Sequence, residues 1–152
     1  MKLLHYAILV LCIFTLSCKI AKKGSYAPKG DSRLMDTYWR LSEMNGKPVI
    51  NPADAPEVHI RLTEKKRRIT GFAGCNRITG TFELGKQGLI EFKAGSTLMY
   101  CEGRMDIENN LMQTLTNANR HVINDRHLLL YNDNRLLAVF EAQYFGTPIG
   151  LK

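Results

Sequence analysis

Nowhere in its 152 residues does this chain hold the roughly 20 consecutive apolar positions that a membrane-spanning helix needs. Its longest uncharged apolar stretch, Tyr6 to Phe14, is less than half that length. The usual marks of an enzyme are also missing. There is no Gly-x-Ser-x-Gly elbow and no Gly-Lys-Ser/Thr phosphate loop, and the scattered Ser and Asp residues nominate no triad. No Cys-x-x-Cys pair is present, the spacing that lowers one thiol pKa in redox proteins. His59, His121 and His127 lack metal-ligand spacing, and no Cys pair or carboxylate cluster joins them. They are expected as core or surface histidines. No catalytic residue, metal or cofactor is therefore expected. Internal repeats and low-complexity blocks are absent from the globular part.

What the chain does hold is four informatively placed cysteines. Lys2 gives a small positive start, and Tyr6 to Phe14 has the length of a signal-peptide core. Phe14-Thr15-Leu16-Ser17-Cys18 then resembles a bacterial lipoprotein cleavage box, with Ser17 as the small residue before the cleaved bond. Thr15 and Leu16 depart from that box, which usually has an aliphatic and then a small residue there. The expectation is a signal peptide over residues 1–17, with Cys18 as the first mature residue carrying lipid. Two or more acyl chains anchor stably where one binds only marginally. The alternatives are plain secretion, with Cys18 incidental, and an uncleaved anchor. Residues 18–33 read as the lipidated cysteine and a flexible tether rich in Lys, Gly, Ser and Pro. No acidic residue closely follows Cys18. By resemblance to other lipoproteins this favours the outer membrane, with the domain facing the periplasm.

Acidic charge is scarce in the tether and ordinary elsewhere. The formal net charge is +7. Residues 19–33 hold five basic groups against Asp31, the remainder of the chain beyond them holds 15 basic and 13 acidic groups, and Lys2 supplies the last charge. The globular part is thus nearly neutral, whereas a nucleic-acid binder carries its charge on a folded face. Nucleic acid is not an expected partner. The one dense basic run, Lys65-Lys66-Arg67-Arg68, lies between two expected strands. It reads first as a solvated hairpin tip and second as a contact for anionic lipid or glycolipid phosphate. It lacks the interleaved aromatics of a single-strand nucleic-acid binder.

About 119 residues follow the tether, enough for one domain with a single core. We place that domain at residues 34–145 and a tail at 146–152. Short strands dominate. Thr37 to Leu41 is β-prone and Asn45-Gly46 is a strong turn pair. Val58 to Leu62 alternates apolar and polar residues, as a half-buried strand does. Ile69 to Ala73, Ile78 to Leu84 and Leu89 to Phe92 are further candidates, with Gly71 and Gly80 permitting bends or close backbone approach. Leu128 to Tyr131 and Leu136 to Phe140 form a hairpin about Asn132-Asp133-Asn134. Met105 to Ala118 differs: Ile107, Leu111 and Leu115 form one helical stripe, and Asp106 and Glu108 suit the first-turn dipole. Together these predict a mainly β (α+β) fold, a small antiparallel barrel or strongly curved sheet with one helix packed against it.

The motifs in order resemble one family. Trp39-x-Leu41 with Gly46, Gly71-x-x-Gly74-Cys75-Asn76, Gly80-x-Phe82, Thr97-x-Met99-x-Cys101, the helix residues Glu108, Leu111 and Leu115, then Leu128-x-Leu130 and Phe140 look like the META domain of HslJ-like heat-shock lipoproteins. The resemblance covers roughly residues 36–140. It implies a compact β-barrel-like domain in the bacterial envelope, linked to heat shock and, in some members, antibiotic resistance, and it brings no enzymatic activity.

With Cys12 removed and Cys18 acylated, Cys75 and Cys101 are left in an oxidising compartment. A structural disulfide is the first reading, worth roughly 3.5 kcal/mol for a loop of about 26 residues. Two buried thiols or a redox pair are the alternatives. Asn76 reads first as a turn residue bonding nearby backbone, and second as a ligand contact. Thr97 reads first as a strand-edge hydroxyl. Trp39, Gly74, Asn76, Thr97 and Met99 are the motif residues carried as possible binding positions. The expected function is non-enzymatic: an envelope lipoprotein that supports envelope integrity or stress tolerance by binding a protein or an envelope-derived ligand. The runner-up is a small-molecule or peptide binder using the barrel mouth, lined by Trp39, Tyr38 or Phe72. An enzyme is a distant third.

Overall fold

The computed structural model describes residues 34–51, 53 and 55–143. The expected signal peptide, Cys18, the tether and the tail from 146 lie outside the described residues.

Among the described residues, nine strands and one α-helix follow in chain order. The strands are β1 (Tyr38–Met44), β2 (Lys47–Pro48), β3 (His59–Thr63), β4 (Arg68–Phe72), β5 (Arg77–Leu84), β6 (Ile90–Ser96), β7 (Arg120–Asn124), β8 (His127–Asn132) and β9 (Arg135–Gln143). The helix α1 (Met105–Asn117) lies between β6 and β7. All the strand pairings are antiparallel, in the order β6-β5-β4-β3-β1-β9-β8-β7, with β2 beside β1. The sheet curls until its two edges touch at one corner. There Leu89 bridges Arg120 and the Ile90 N–H donates to the Asn119 carbonyl (3.1 Å). The helix packs on β6 beside that corner, so the predicted fold class holds.

Alternation builds the core. Trp39 and Leu41, Ile60 and Leu62, Leu128 and Leu130, and Phe140 and Ala142 point inward at period two. A bulge between Leu41 and Glu43 shifts the phase of β1, so that Met44 is also buried. The Ser42 hydroxyl bonds the Val139 carbonyl at that point (2.9 Å). Gly71 and Gly80 serve close approach: a side-chain carbon at either would collide with a backbone carbonyl of the neighbouring strand, His59 or Lys93. From the helix, Leu111 and Leu115 complete the core.

The meander gives the domain two ends. β1 begins, β9 finishes, and the β3–β4 and β7–β8 turns gather at one end, termed here the terminal end, whereas the curl of the sheet brings the β5–β6 turn against the start of β7, beside the β8–β9 turn. The Asn45-Gly46 and β8–β9 turns, residues 73–76 and the β6–α1 connection lie at the other, the loop end.

Three boundaries differ from the sequence reading. β6 runs on to Ser96 because Lys93 to Ser96 pair with Ile78 to Thr81, although they look like a loop. β7 was not expected at all. Its Arg120, His121 and Asn124 dilute the apolar pattern, and its pairing with β8 holds it in place. The helix ends at Asn117, with the Ala118 N–H bonded back to the Thr114 carbonyl (2.9 Å).

Candidate functional site

At the loop end, the side chain of Asn76 uses its full bonding capacity. Its amide nitrogen donates to Glu108 Oε1 (2.9 Å) and to the Met99 carbonyl (2.8 Å). Its amide oxygen accepts from the Met99 N–H (2.8 Å) and the Thr97 hydroxyl (2.8 Å). Its backbone N–H donates to Glu108 Oε2 (2.8 Å), and its carbonyl accepts from the Ala73 N–H (2.8 Å). Ser96 Oγ adds a bond to Glu108 Oε1 (3.0 Å). Asn76 and Glu108 are both buried.

Each bond has a local cause. Glu108 sits one turn into α1, on the face that carries Leu111 and Leu115, so the helix aims its carboxylate at the 73–76 turn. Gly74 lets the helix come that close: it has φ +119°, and a Cβ there would lie 2.7 Å from Ile107 Cγ2. Arg104 Nε bonds the Gly74 carbonyl from the other side (3.2 Å). The donors to Glu108 are a backbone amide, a side-chain amide and a hydroxyl, all neutral. A carboxylate buried on such donors is costly to strip of any one of them.

The disulfide joins the same parts. Cys75 and Cys101 are bonded, with Cα atoms 5.7 Å apart. The segment 97–101 is therefore fixed at its middle by Asn76 on both Met99 backbone groups, and at its end by a covalent bond. Yet its side chains face solvent. Leu98 is 99% exposed, Met99 62% and Tyr100 81%. Three adjacent large apolar side chains in water, on backbone tied down this firmly, are a presented surface.

The outer wall of the sheet carries a second feature. His59, Phe72 and Arg77 stand opposite one another across β3, β4 and β5. With Pro56 and Gly71 they line a shallow groove of about 320 Å³. Tyr38 stacks on His59, with ring centroids 4.2 Å apart. Burial pushes the Tyr38 phenol pKa up, helped by the nearby Glu57 carboxylate. On the neighbouring strands Arg40 bonds Glu141 (2.6 Å), and that bond holds the Glu141 carboxyl below the usual carboxylate range despite opposing desolvation. Another open groove, about 550 Å³, lies between the β5–β6 turn and the end of α1. Among the described residues no group of three or more His, Cys, Asp or Glu is placed to hold a metal ion.

The structure brings Gly74, Asn76, Thr97, Met99 and the Cys75–Cys101 pair into one cluster. It places Trp39 elsewhere. That side chain is 1% exposed, and its indole N–H donates to the Leu34 carbonyl (2.9 Å). Trp39 is a core residue and lines no mouth. Tyr38 and Phe72, expected with it, lie on the outer wall. Sequence reasoning missed Glu108 as a buried hub and Ser96 as its donor. A first-turn acid is ordinary, and its only distinguishing signal was its register with Leu111 and Leu115.

A family model of the META domain matches residues 32–144. No curated protein matches the chain. Among solved structures, it is similar to an NMR structure of a protein from Burkholderia xenovorans, at 26% identity and a TM-score of 0.62, over 76% of this chain and 88% of that one. A second NMR structure shares the fold at 24% identity and a TM-score of 0.56, over 72% of this chain and 92% of that one. The matched span includes the 73–76 turn, the apolar loop and the helix that locks them, and this chain belongs to the META domain family.

Proposed function

We propose that this chain is a lipid-anchored protein of the bacterial envelope whose META domain works without catalysis, by docking a partner protein at its loop end. The observation that carries this reading is the solvent-facing trio Leu98, Met99 and Tyr100 on a backbone fixed by Asn76 and the disulfide. Aromatic residues and Met are enriched at interface centres. A loop ordered beforehand gives up little entropy on binding. The polar groups beneath the loop are committed to holding it, which favours presentation over chemistry. A lipid on Cys18 would reach the domain through Leu34, at the opposite end from the loop. The trio would then point away from the anchoring membrane, towards protein rather than bilayer. Support of envelope integrity under heat or antibiotic stress follows as the proposed role.

The test is complementation. A strain lacking the protein is challenged with heat and with envelope-active antibiotics, then supplied with wild type or with Leu98→Ser/Tyr100→Ser. We expect the double variant to accumulate normally in the membrane fraction and to fail to restore tolerance. Full rescue by the variant overturns the reading.

The His59–Phe72–Arg77 groove favours a second reading, in which a planar anionic ligand lies on the aromatic wall. It requires a saturable rise in melting temperature with an envelope component, lost in Arg77→Ala.

A further inference from the structure

The basic run Lys65-Lys66-Arg67-Arg68 forms the β3–β4 turn, and register fixes where that turn lies. Thr63 pairs with Arg68, Met35 bridges Leu62, and the Asp36 N–H bonds the Leu62 carbonyl (2.7 Å). The four cations thus stand beside the point where the chain from residue 33 joins the fold. All four are exposed. Among the described residues none of them is in an ion pair. Arg67 lies 5.9 Å from the centroid of the Phe82 ring, over the end of the core, and Arg68 reaches Thr79 Oγ1 (3.5 Å).

The backbone of the tip is unusual. Lys66 and Arg67 have φ of 60° and 46°, a region that favours Gly or Asn. Two long cationic side chains thus occupy positions where the turn itself would favour smaller residues. Further along β5 from the tip, Lys86 adds positive charge in the β5–β6 turn. Glu64, Asp36 and Asp125 oppose it, with Asp36 lying 3.9 Å from Arg61. The tether adds Lys19, Lys22, Lys23, Lys29 and Arg33 against Asp31.

We propose that this tip docks on an anionic lipid surface through headgroup phosphates and so sets the orientation of the anchored domain, an inference that rests on the lipid-anchored reading above. Each cation held within a Debye length of such a surface, about 8 Å at physiological salt, favours the docked orientation by about fivefold. Lys65, Lys66 and Arg68 are free to act together, while Arg67 shares its charge with the Phe82 face. Docking by the tip leaves the apolar loop at the far end of the barrel, directed away from the bilayer.

The test uses the full-length protein purified from membranes, in nanodiscs of zwitterionic lipid or with about one third anionic lipid. Its readout is the rate at which a water-soluble amine reagent modifies each lysine, followed by mass spectrometry. Lys47, in the loop-end hairpin, is the internal reference. We expect anionic lipid to slow Lys65 and Lys66 at least about fivefold relative to Lys47, high salt to abolish the protection, and Arg68→Glu to reduce it. Inorganic phosphate added to zwitterionic discs should protect neither lysine. Protection by free phosphate would assign the tip to a soluble anion and overturn the proposal. An anchored protein whose Lys65 and Lys66 react equally on both lipids overturns the proposal and leaves the anchored reading intact. A native protein whose mass shows no lipid on Cys18 overturns both.

Discussion

The two ends of this barrel are built in opposite ways. At the loop end an apolar trio faces water on backbone held by Asn76, Glu108 and the Cys75–Cys101 bond. At the terminal end a cationic tip projects from a turn with strained backbone and no ion pair among the described residues. An apolar surface that must not collapse needs its backbone fixed from beneath. A charged tip needs no such support, because water already holds it open. The contrast teaches that substitutions at the two ends should act on different properties: stability at one, orientation at the other.

The largest expected effect is at the disulfide. Cys75→Ser/Cys101→Ser should destabilise the domain by about 3.5 kcal/mol in the chain-entropy model, read as a fall in denaturant midpoint with a steeper slope, because the unbridged denatured chain is more expanded. Reductant should reproduce the loss in wild type and do nothing further to the variant. A loss below about 1 kcal/mol would mean that the noncovalent bonds alone order the loop.

Next comes Asn76→Ala. It removes the side-chain amide donor from a buried carboxylate, leaving the backbone N–H in place, and removes both restraints on Met99, and should cost about 3 kcal/mol, or a fall in melting temperature of roughly 10 °C or more. Asn76→Asp places a second carboxylate against Glu108 and should do no better. A neutral Asn76→Ala would remove the basis for calling the loop rigid.

A smaller effect lies on the wall between the ends. The Glu141 pKa is lowered in the folded state, so its contribution to stability is present above the ordinary carboxylate value and is lost as pH falls from there through the lowered folded value. The half-exposed Arg40–Glu141 pair should contribute about 1 kcal/mol. Unfolding midpoints between pH 6 and 3 should therefore fall less steeply in Glu141→Gln than in wild type. Parallel slopes would remove the pair from the ledger of stability.

The smallest stability effects should be at the two presented surfaces. Leu98→Ser/Tyr100→Ser and Lys65→Glu/Lys66→Glu should each change stability by no more than about 0.5 kcal/mol, because neither removes a buried group. A loss of 2 kcal/mol from either pair would show that its side chains support the fold.

Much of the fold was legible because period-two alternation and turn pairs are local signals. Val58 to Leu62, the Asn45-Gly46 turn and the Leu128–Phe140 hairpin all state their structure in a few residues. The META motifs named the family for the same reason, being fixed residues at fixed spacing. Strand β7 was illegible because Arg120, His121 and Asn124 break its apolar alternation, and it is the hairpin pairing with β8 that holds them extended. Of the site, Asn76, Thr97, Met99 and the cysteines were singled out from their motifs, but not the geometry that unites them. Glu108 looked like a dipole-complementing acid, and only the packing of α1 against the 73–76 turn makes it a hub. Trp39 was carried as a possible binding position, yet its indole N–H finds its partner in Leu34, five residues earlier in the chain, inside the core. The exposure of Leu98 to Tyr100 is the least legible feature, since three large apolar residues in sequence read as buried.

One measurement bears most directly on the opposed roles of the two ends. Full-length, methyl-labelled protein would be placed in anionic nanodiscs containing spin-labelled lipid, and the relaxation of individual methyl groups recorded. Met35 bridges Leu62 beside the β3–β4 turn at the terminal end, and Leu98 and Met99 lie on the loop. We expect spin-labelled headgroups to broaden Met35 and to leave Leu98 and Met99 sharp. Broadening of Leu98 and Met99 instead, with Met35 sharp, would show that the apolar loop enters the bilayer, and would contradict its assignment to a protein partner.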